Sequence, residues 1–313
     1  MEFKFAIIIL THKNLNQVVD LVKTLTHPNV NIYIHVDKKA KSEMKCLDYL
    51  ANYKNITIIS EIYCKWSHFS VVEATMLCLS KAITDKNNYI SLISGQDLPL
   101  ININKIYDFF KRNYTKNFFD YYEYTNYFFE DYLIADSYFF HIKNKIIAYP
   151  SYELPKSIHQ YIIHHIIGLY VNPKKRDFSL YYGQQWFNIS SESAKKIINV
   201  WNSNNKFQIF FRHSFTPENF FVPTIINYIE GLENVENTCL RLVDWDRLTQ
   251  SNIPIIKDDW NKPRMSNHPH IFTKNDWDLL TESSKKGILF ARKFDLSVDE
   301  DIFNLVRNKL CCE

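Results

Sequence analysis

Tyr89-Ile90-Ser91-Leu92-Ile93-Ser94-Gly95-Gln96-Asp97-Leu98-Pro99-Leu100 runs without a break from an apolar stretch into a small-Gly-polar-acid turn and then meets proline. A short apolar run bounded by turn residues reads as a strand buried on both faces. The turn leaves a carboxylate, Asp97, at the carboxyl end of that strand, which is the edge of an open α/β sheet where ligands bind. Taken alone, the same pattern would also serve a purely structural turn.

Outward from this stretch, strand-like runs at 3–10, 30–36, 56–60 and 89–94 alternate with helix-like runs at 15–26, 40–53, 69–84 and 102–113. The alternation predicts an α/β fold, with a mostly parallel central sheet flanked by helices. No Gly-x-Gly-x-x-Gly or Walker pattern supports a dinucleotide or P-loop site. The second half is less regular. Ser190 reads as the N-cap of a helix over 191–201. A further helix is expected to start at Thr216-Pro217-Glu218, with Thr capping, Pro at the first position and Glu facing the helix dipole.

The chain has 313 residues, of which 46% are hydrophobic and 23% charged, with five glycines, so it reads as one globular unit without linkers or low complexity. A dispersed net charge of +3 gives no footprint for nucleic acid. The Phe5 to Leu10 run is too short to cross a membrane and lacks a signal-peptide pattern, so it reads as the first strand. Cysteines at 46, 64, 78, 239, 311 and 312 show no paired metal-ligand spacing and are expected to be reduced thiols in a cytoplasmic protein. The 23 Phe, 20 Tyr and 6 Trp either fill a core or line a sugar site.

Three further stretches accompany the 89–100 segment: Ile7-Ile8-Ile9-Leu10-Thr11-His12-Lys13, Ile32-Tyr33-Ile34-His35-Val36-Asp37-Lys38-Lys39, and Leu289-Phe290-Ala291-Arg292-Lys293-Phe294-Asp295. In this order the four resemble the core-2/I-branching β-1,6-N-acetylglucosaminyltransferase family, which includes the peptide O-xylosyltransferases. The resemblance implies a GT-A-type glycosyltransferase fold over 1–313, with about 1–115 as its nucleotide-binding part and about 116–313 as the acceptor side and diphosphate-binding part. Without an anchor segment the chain looks like a bacterial form acting in polysaccharide biosynthesis, at most peripherally associated with the inner face of the membrane.

The same resemblance implies site roles. His35 and Asp37 lie near the uridine. Asp97 and Gln96 are expected near the donor or acceptor sugar; Asp97 stands alone where GT-A enzymes normally hold a divalent ion with an Asp-x-Asp pair, and one carboxylate is a poor cage for a hard cation. Arg292 and Lys293 then hold the UDP diphosphate in the absence of a metal or other cofactor. A further cation from Lys262-Pro263-Arg264 to His268-Pro269-His270 is expected to assist, and zinc at its two histidines is discounted for want of a third ligand. The spacings Asp244-Trp245-Asp246 and Asp276-Trp277-Asp278 are read as structural. Trp186 lies on the acceptor side, where it stacks on a sugar or packs in the core, with Tyr181, Tyr182 and Gln185 ranked below it. Trp66 and Ser67 shape the pocket wall. His12, alone in a loop, is a weak signal.

Inversion needs a general base. Counting from Pro217, Asn219 occupies the family's glutamate column and Glu218 the preceding one, so Glu218 is expected to be the base. The implied activity is metal-independent, inverting transfer from a UDP-sugar to a hydroxyl of a glycan or lipid-linked oligosaccharide. N-acetylglucosamine is the default sugar, and UDP-xylose, UDP-galactose and UDP-glucose stay open. The rival reading is a catalytically silent nucleotide- or glycan-binding protein of the same fold.

Overall fold

Alternate residues of the first strand enter two different cores. In β1 (Phe5–Thr11), Phe5, Ile7 and Ile9 join one buried cluster while Ala6 and Ile8 join another. Period-two alternation with apolar side chains on both faces is what a strand covered by helices on both sides requires. The computed structural model describes residues 2–124, 137–142, 145–149, 162, 165–166, 174–245, 247–249 and 268–312.

Three strands run parallel with β1: β2 (Val30–Val36), β3 (Ile56–Ile59) and β4 (Tyr89–Ser94). Helices α1 (Leu15–Thr24), α2 (Ser70–Thr84) and α3 (Ile103–Arg112) connect or follow them. Strands β6 (Asn117–Phe119), β7 (Phe187–Ser190) and β8 (Val235–Asn237) complete a sheet of order β3-β2-β1-β4-β7-β6-β8, in which β7 alone opposes its neighbours. The α/β class, the mostly parallel sheet and the flanking helices expected of a GT-A-type fold are therefore present. Because β2 and β3 build out on one side of β1 and β4 returns to the other, the carboxyl ends of β1 and β4 frame a topological switch point.

A small second sheet closes over that edge. Its strands β5 (Asp97–Pro99), β9 (Arg241–Val243) and β10 (Phe290–Arg292) are ordered β9-β10-β5, and antiparallel pairing sets Arg292 opposite Asp97. The turn between β4 and β5 can be this tight because it has a glycine at 95. A Cβ there would lie 2.6 Å from Thr11 Oγ1 and 2.8 Å from Val18 Cγ2.

Two expectations are corrected. The segment after β2 is a 3₁₀ run over Lys38–Asn52 rather than an α-helix over 40–53. It starts tight because Asp37 accepts the Lys39 amide on its side chain and the Ala40 amide on its carbonyl, an i→i+3 bond. Thr216 does not cap a helix: it is left-handed at φ 43°, makes no side-chain cap bond, and leads into a single 3₁₀ turn at Pro217–Asn219 before the helix Phe221–Glu230 begins. Glu218 therefore faces no α-helical dipole. By contrast, Ser190 caps the helix Ser191–Ser203, accepting the Ser193 amide at 3.1 Å. Among the described residues many aromatic side chains are core: Phe207, Phe211, Phe220 and Phe221 are buried. All six cysteines are free, and among the described residues no helix is long and apolar enough to cross a membrane.

Gly95→Ala should destabilise the protein by about 1–3 kcal/mol, the usual cost of overpacking a close-packed site. Urea unfolding measures it, and an unchanged midpoint would show that the turn relaxes freely.

Candidate active site

At the switch point Asp97 is buried and fully engaged. Its Oδ1 accepts Ser94 Oγ at 2.8 Å and its Oδ2 accepts the Ser94 amide at 3.1 Å. Arg241 Nε lies 3.1 Å from Oδ2 and Arg292 Nη1 lies 3.5 Å from Oδ1, while Arg292 also donates to Ser94 Oγ. Nε and Nη1 of Arg241 lack an aligned hydrogen bond, so its attraction to Asp97 is coulombic, and Nη2 donates to the Leu92 carbonyl at 3.2 Å. Both guanidiniums sit 4.9 Å from the centre of the Trp186 ring. Trp186 is 8% exposed and serves here as a cation–π partner. This donor set does not fit a divalent cation: one carboxylate, with both oxygens hydrogen-bonded, faces two positive charges.

Beside this network the chain gathers further positive groups. Lys293 is buried, and among the described residues no carboxylate forms an ion pair with its ammonium. Burial, then Arg292 and Lys13, bring its pKa down to about 8, with Asp295 opposing. His12 is held neutral, its pKa lowered to about 4 by burial, Lys13, Arg292 and Lys293 against the pull of Asp37. Lys13 pairs with Asp295 at 2.8 Å, and Asn14 donates to the same carboxylate at 2.8 Å. Burial would raise Asp295, yet these partners and Ser297 hold it below the ordinary carboxylate range. Gln96 reaches Asp295 at 3.3 Å.

Gln17 fixes the two loops relative to each other. Fully buried on α1, it donates to the carbonyls of Gly95 at 2.9 Å and Phe294 at 3.1 Å, and accepts the Leu296 amide at 3.0 Å. Sequence reading passed over both Gln17 and Arg241. For Arg241 the available signal was a charged side chain between Leu240 and Leu242; Gln17 follows Asn16 and carries no such signal.

The two remaining candidate acids, Asp37 and Glu218, stand on other loops. Asp37 Oδ1 accepts the amides of Lys39 at 3.0 Å and Cys64 at 3.3 Å, tying the end of β2 to the loop after β3. His35 is 1% exposed, kept neutral by burial, and accepts the Ile62 amide on Nε2 at 3.4 Å. Glu218 is half-buried, but its Oε2 is sealed from solvent and has no hydrogen-bond partner. Burial pushes its pKa up from 4.5 to about 7, with its own backbone amide opposing. Thr216, two residues before Glu218, donates its amide to Ser67 Oγ at 2.9 Å, which ties the Glu218 turn to the loop that Asp37 holds. Asn219 is spent on structure: its carbonyl accepts the Gly183 amide at 2.9 Å and its side chain reaches Tyr182 Oη at 3.5 Å. A Cβ on residue 183 would lie 1.8 Å from the Asp120 carbonyl oxygen, so this approach needs glycine.

The remaining acid spacings are structural where described. Arg247 binds Asp244 at 2.6 Å and Asp276 at 2.6 Å, and Asp276 closes a capping box with Thr273. His270 contacts Asp276 at 3.0 Å, and among the described residues no cluster of three metal-ligating side chains exists. Asp246 and the 262–267 segment lie outside the described residues.

Cations thus gather at the switch point of a mostly parallel sheet, in the α/β architecture expected of a GT-A-type fold. The chain belongs to the Core-2/I-Branching enzyme family, whose model matches residues 5–281. No curated protein matches it. Among solved structures it is similar to S. aureus TarS 1-349 in complex with UDP, at 10% identity and TM-score 0.34 over 68% of this chain and 56% of that one. It is also similar to a putative glucose-1-phosphate thymidylyltransferase from Bacillus anthracis in complex with a sucrose, at 10% identity and TM-score 0.33 over 75% and 85% of the two chains.

A carboxylate whose pKa is raised on folding opposes stability once the unfolded chain ionises. Glu218→Gln should therefore raise the thermal midpoint by an amount that grows between pH 4.5 and about 7 and is constant above, with no gain below pH 4.5. A gain independent of pH would show that Oε2 is solvated.

Proposed function

We propose that this protein is a metal-independent, inverting glycosyltransferase, moving a sugar from a UDP-sugar to a hydroxyl of a glycan or lipid-linked oligosaccharide. N-acetylglucosamine is the family's default sugar. The observation that carries this reading is Lys293, a buried ammonium with no carboxylate ion pair among the described residues, at the sheet edge where ligands bind, beside Arg292 and Lys13. A diphosphate supplies the missing negative charge. Arg292 shares Asp97 with Arg241 and adds its field, so charge that a divalent ion would otherwise offset is met by side chains.

In this reading Glu218 takes the acceptor hydroxyl proton as that oxygen attacks the anomeric carbon, and UDP leaves from the opposite face against Lys293. Desolvation suits Glu218 to the task, since a base near the working pH is both ionised and strong enough. The rival reading, a silent binding protein, draws on Asn219 in the glutamate column. The structural duties of Asn219 toward Gly183 and Tyr182 give that position a purpose other than a lost base.

UDP release from UDP-N-acetylglucosamine should persist in excess EDTA, and loss on chelation with rescue by Mn²⁺ would overturn metal independence. Glu218→Gln should lower turnover by about 10²-fold or more while UDP still binds. Turnover equal to wild type in that variant would remove Glu218 from the role.

The base is ionised above about pH 7 and Lys293 is charged below about pH 8, so the rate should peak between the two. An anion binds the charged form of Lys293, hence UDP affinity should fall as pH rises through about 8. Lys293→Met should remove that dependence and weaken UDP by about 1.5–3 kcal/mol, which titration calorimetry at pH 7 and 9 resolves. Equal UDP affinity in wild type and variant would place the diphosphate elsewhere.

A further inference from the structure

Glu218 leaves the core on a turn that is held from outside itself. Thr216 is left-handed at φ 43° and donates its amide to Ser67 Oγ at 2.9 Å, and Ser67 is itself left-handed at φ 56° and buried. Two non-glycine residues in this region, one of them β-branched, are costly, and such pairs persist when the surroundings over-determine them. The surroundings of Ser67 do so. Next to it in sequence, His68 packs edge-on against His141 with ring centres 4.9 Å apart. His68 in turn accepts the Ser70 amide on Nδ1 at 3.1 Å, which ties the segment to the first turn of α2.

From Thr216 the backbone has little freedom left. Proline fixes φ at 217, the Asn219 amide bonds back to the Thr216 carbonyl at 3.0 Å, and the Asn219 carbonyl is held by Gly183 at 2.9 Å. Between these two anchors, Ser67 on one side and Gly183 on the other, lies Glu218 with its partnerless Oε2.

We propose that Ser67 is a positioning residue for the base: its hydroxyl, by capturing the Thr216 amide, sets the turn that carries and orients the Glu218 carboxylate. This rests on the reading of Glu218 as base. Ser67 touches no reacting atom. It acts on proton transfer and leaves donor binding alone, because the cations that face the diphosphate stand on β10 and the β1 loop.

The test is Ser67→Gly, which removes the hydroxyl and keeps a residue at ease at positive φ. The kcat for UDP release from UDP-N-acetylglucosamine should fall roughly 10- to 100-fold, the effect of a misplaced reacting group, while KM for that donor and UDP affinity hold. The acid limb of the pH–rate profile should move down from about 7 toward 4.5 as the loosened turn admits water to Oε2. Ser67→Cys, near in size with a weak acceptor, gives the same comparison should glycine prevent folding. An unchanged kcat and acid limb in the folded variant, with Glu218→Gln inactive, would overturn the positioning role alone. A fully active Glu218→Gln would overturn the base and the positioning role together. Loss confined to UDP affinity would make Ser67 a structural residue only.

Discussion

The ion cluster of Asp97 with Arg241 and Arg292 is the constraint on which the site depends. It sits where β4 ends and β5 begins, so one carboxylate links the large parallel sheet to the small sheet of β5, β9 and β10. Removing one partner from a buried pair commonly costs 3–5 kcal/mol, because the other charge is left without compensation. Here the burden would fall on Arg241, whose side chain is 1% exposed and has two nitrogens without aligned hydrogen bonds. Trp186 and Phe290 offset part of that desolvation by lying against the guanidinium. The cluster also sets Arg292 in register, and with it the following Lys293, over the carboxyl edge of β1 and β4.

Burial shifts the basic groups after β1 and β10 and the acid of the 216–219 turn in opposite directions. Burial lowers Lys293 and His12 and raises Glu218, so each favours its neutral form more than it would in water. Groups pushed this way are where acid–base and anion-binding roles are found. His12 is neutral because it is buried and cations crowd it, which leaves Lys293, Lys13 and Arg292 to carry the positive field. Asp295 absorbs part of that field by pairing with Lys13, and Gln17 keeps the Asp295 loop against the Gly95 turn.

The setting of Glu218 is assembled from three separate loops. Asp37 holds the loop after β3, that loop supplies Ser67, and Ser67 holds Thr216 ahead of Glu218. Asn14, which holds Asp295, and Ser67 and Thr216, which are bonded to each other, are three of the non-glycine residues with positive φ. Such conformations concentrate at functional sites because packing there fixes a geometry that local preference would not choose.

The amino-acid sequence by itself determined the α/β class, the four parallel strands and the helix capped by Ser190. Those depend on local periodicity and capping chemistry, which act over a few residues. It also marked Asp97, Lys293 and Glu218 as candidates. It could not set what those groups face. Asp97 reads as a lone strand-end acid until the antiparallel pairing of β5 with β10 sets Arg292 opposite it and β9 brings up Arg241, some 144 residues away in sequence. The start at Thr216-Pro217-Glu218 satisfies every local rule for a helix N-terminus, yet a hydroxyl 149 residues distant captures the Thr216 amide and the chain makes a 3₁₀ turn instead. The desolvation of Glu218 is likewise decided by which surfaces close over it. Tertiary structure decided these points because partner, burial and charge environment arise from contacts between distant segments, and local propensity carries no information about them.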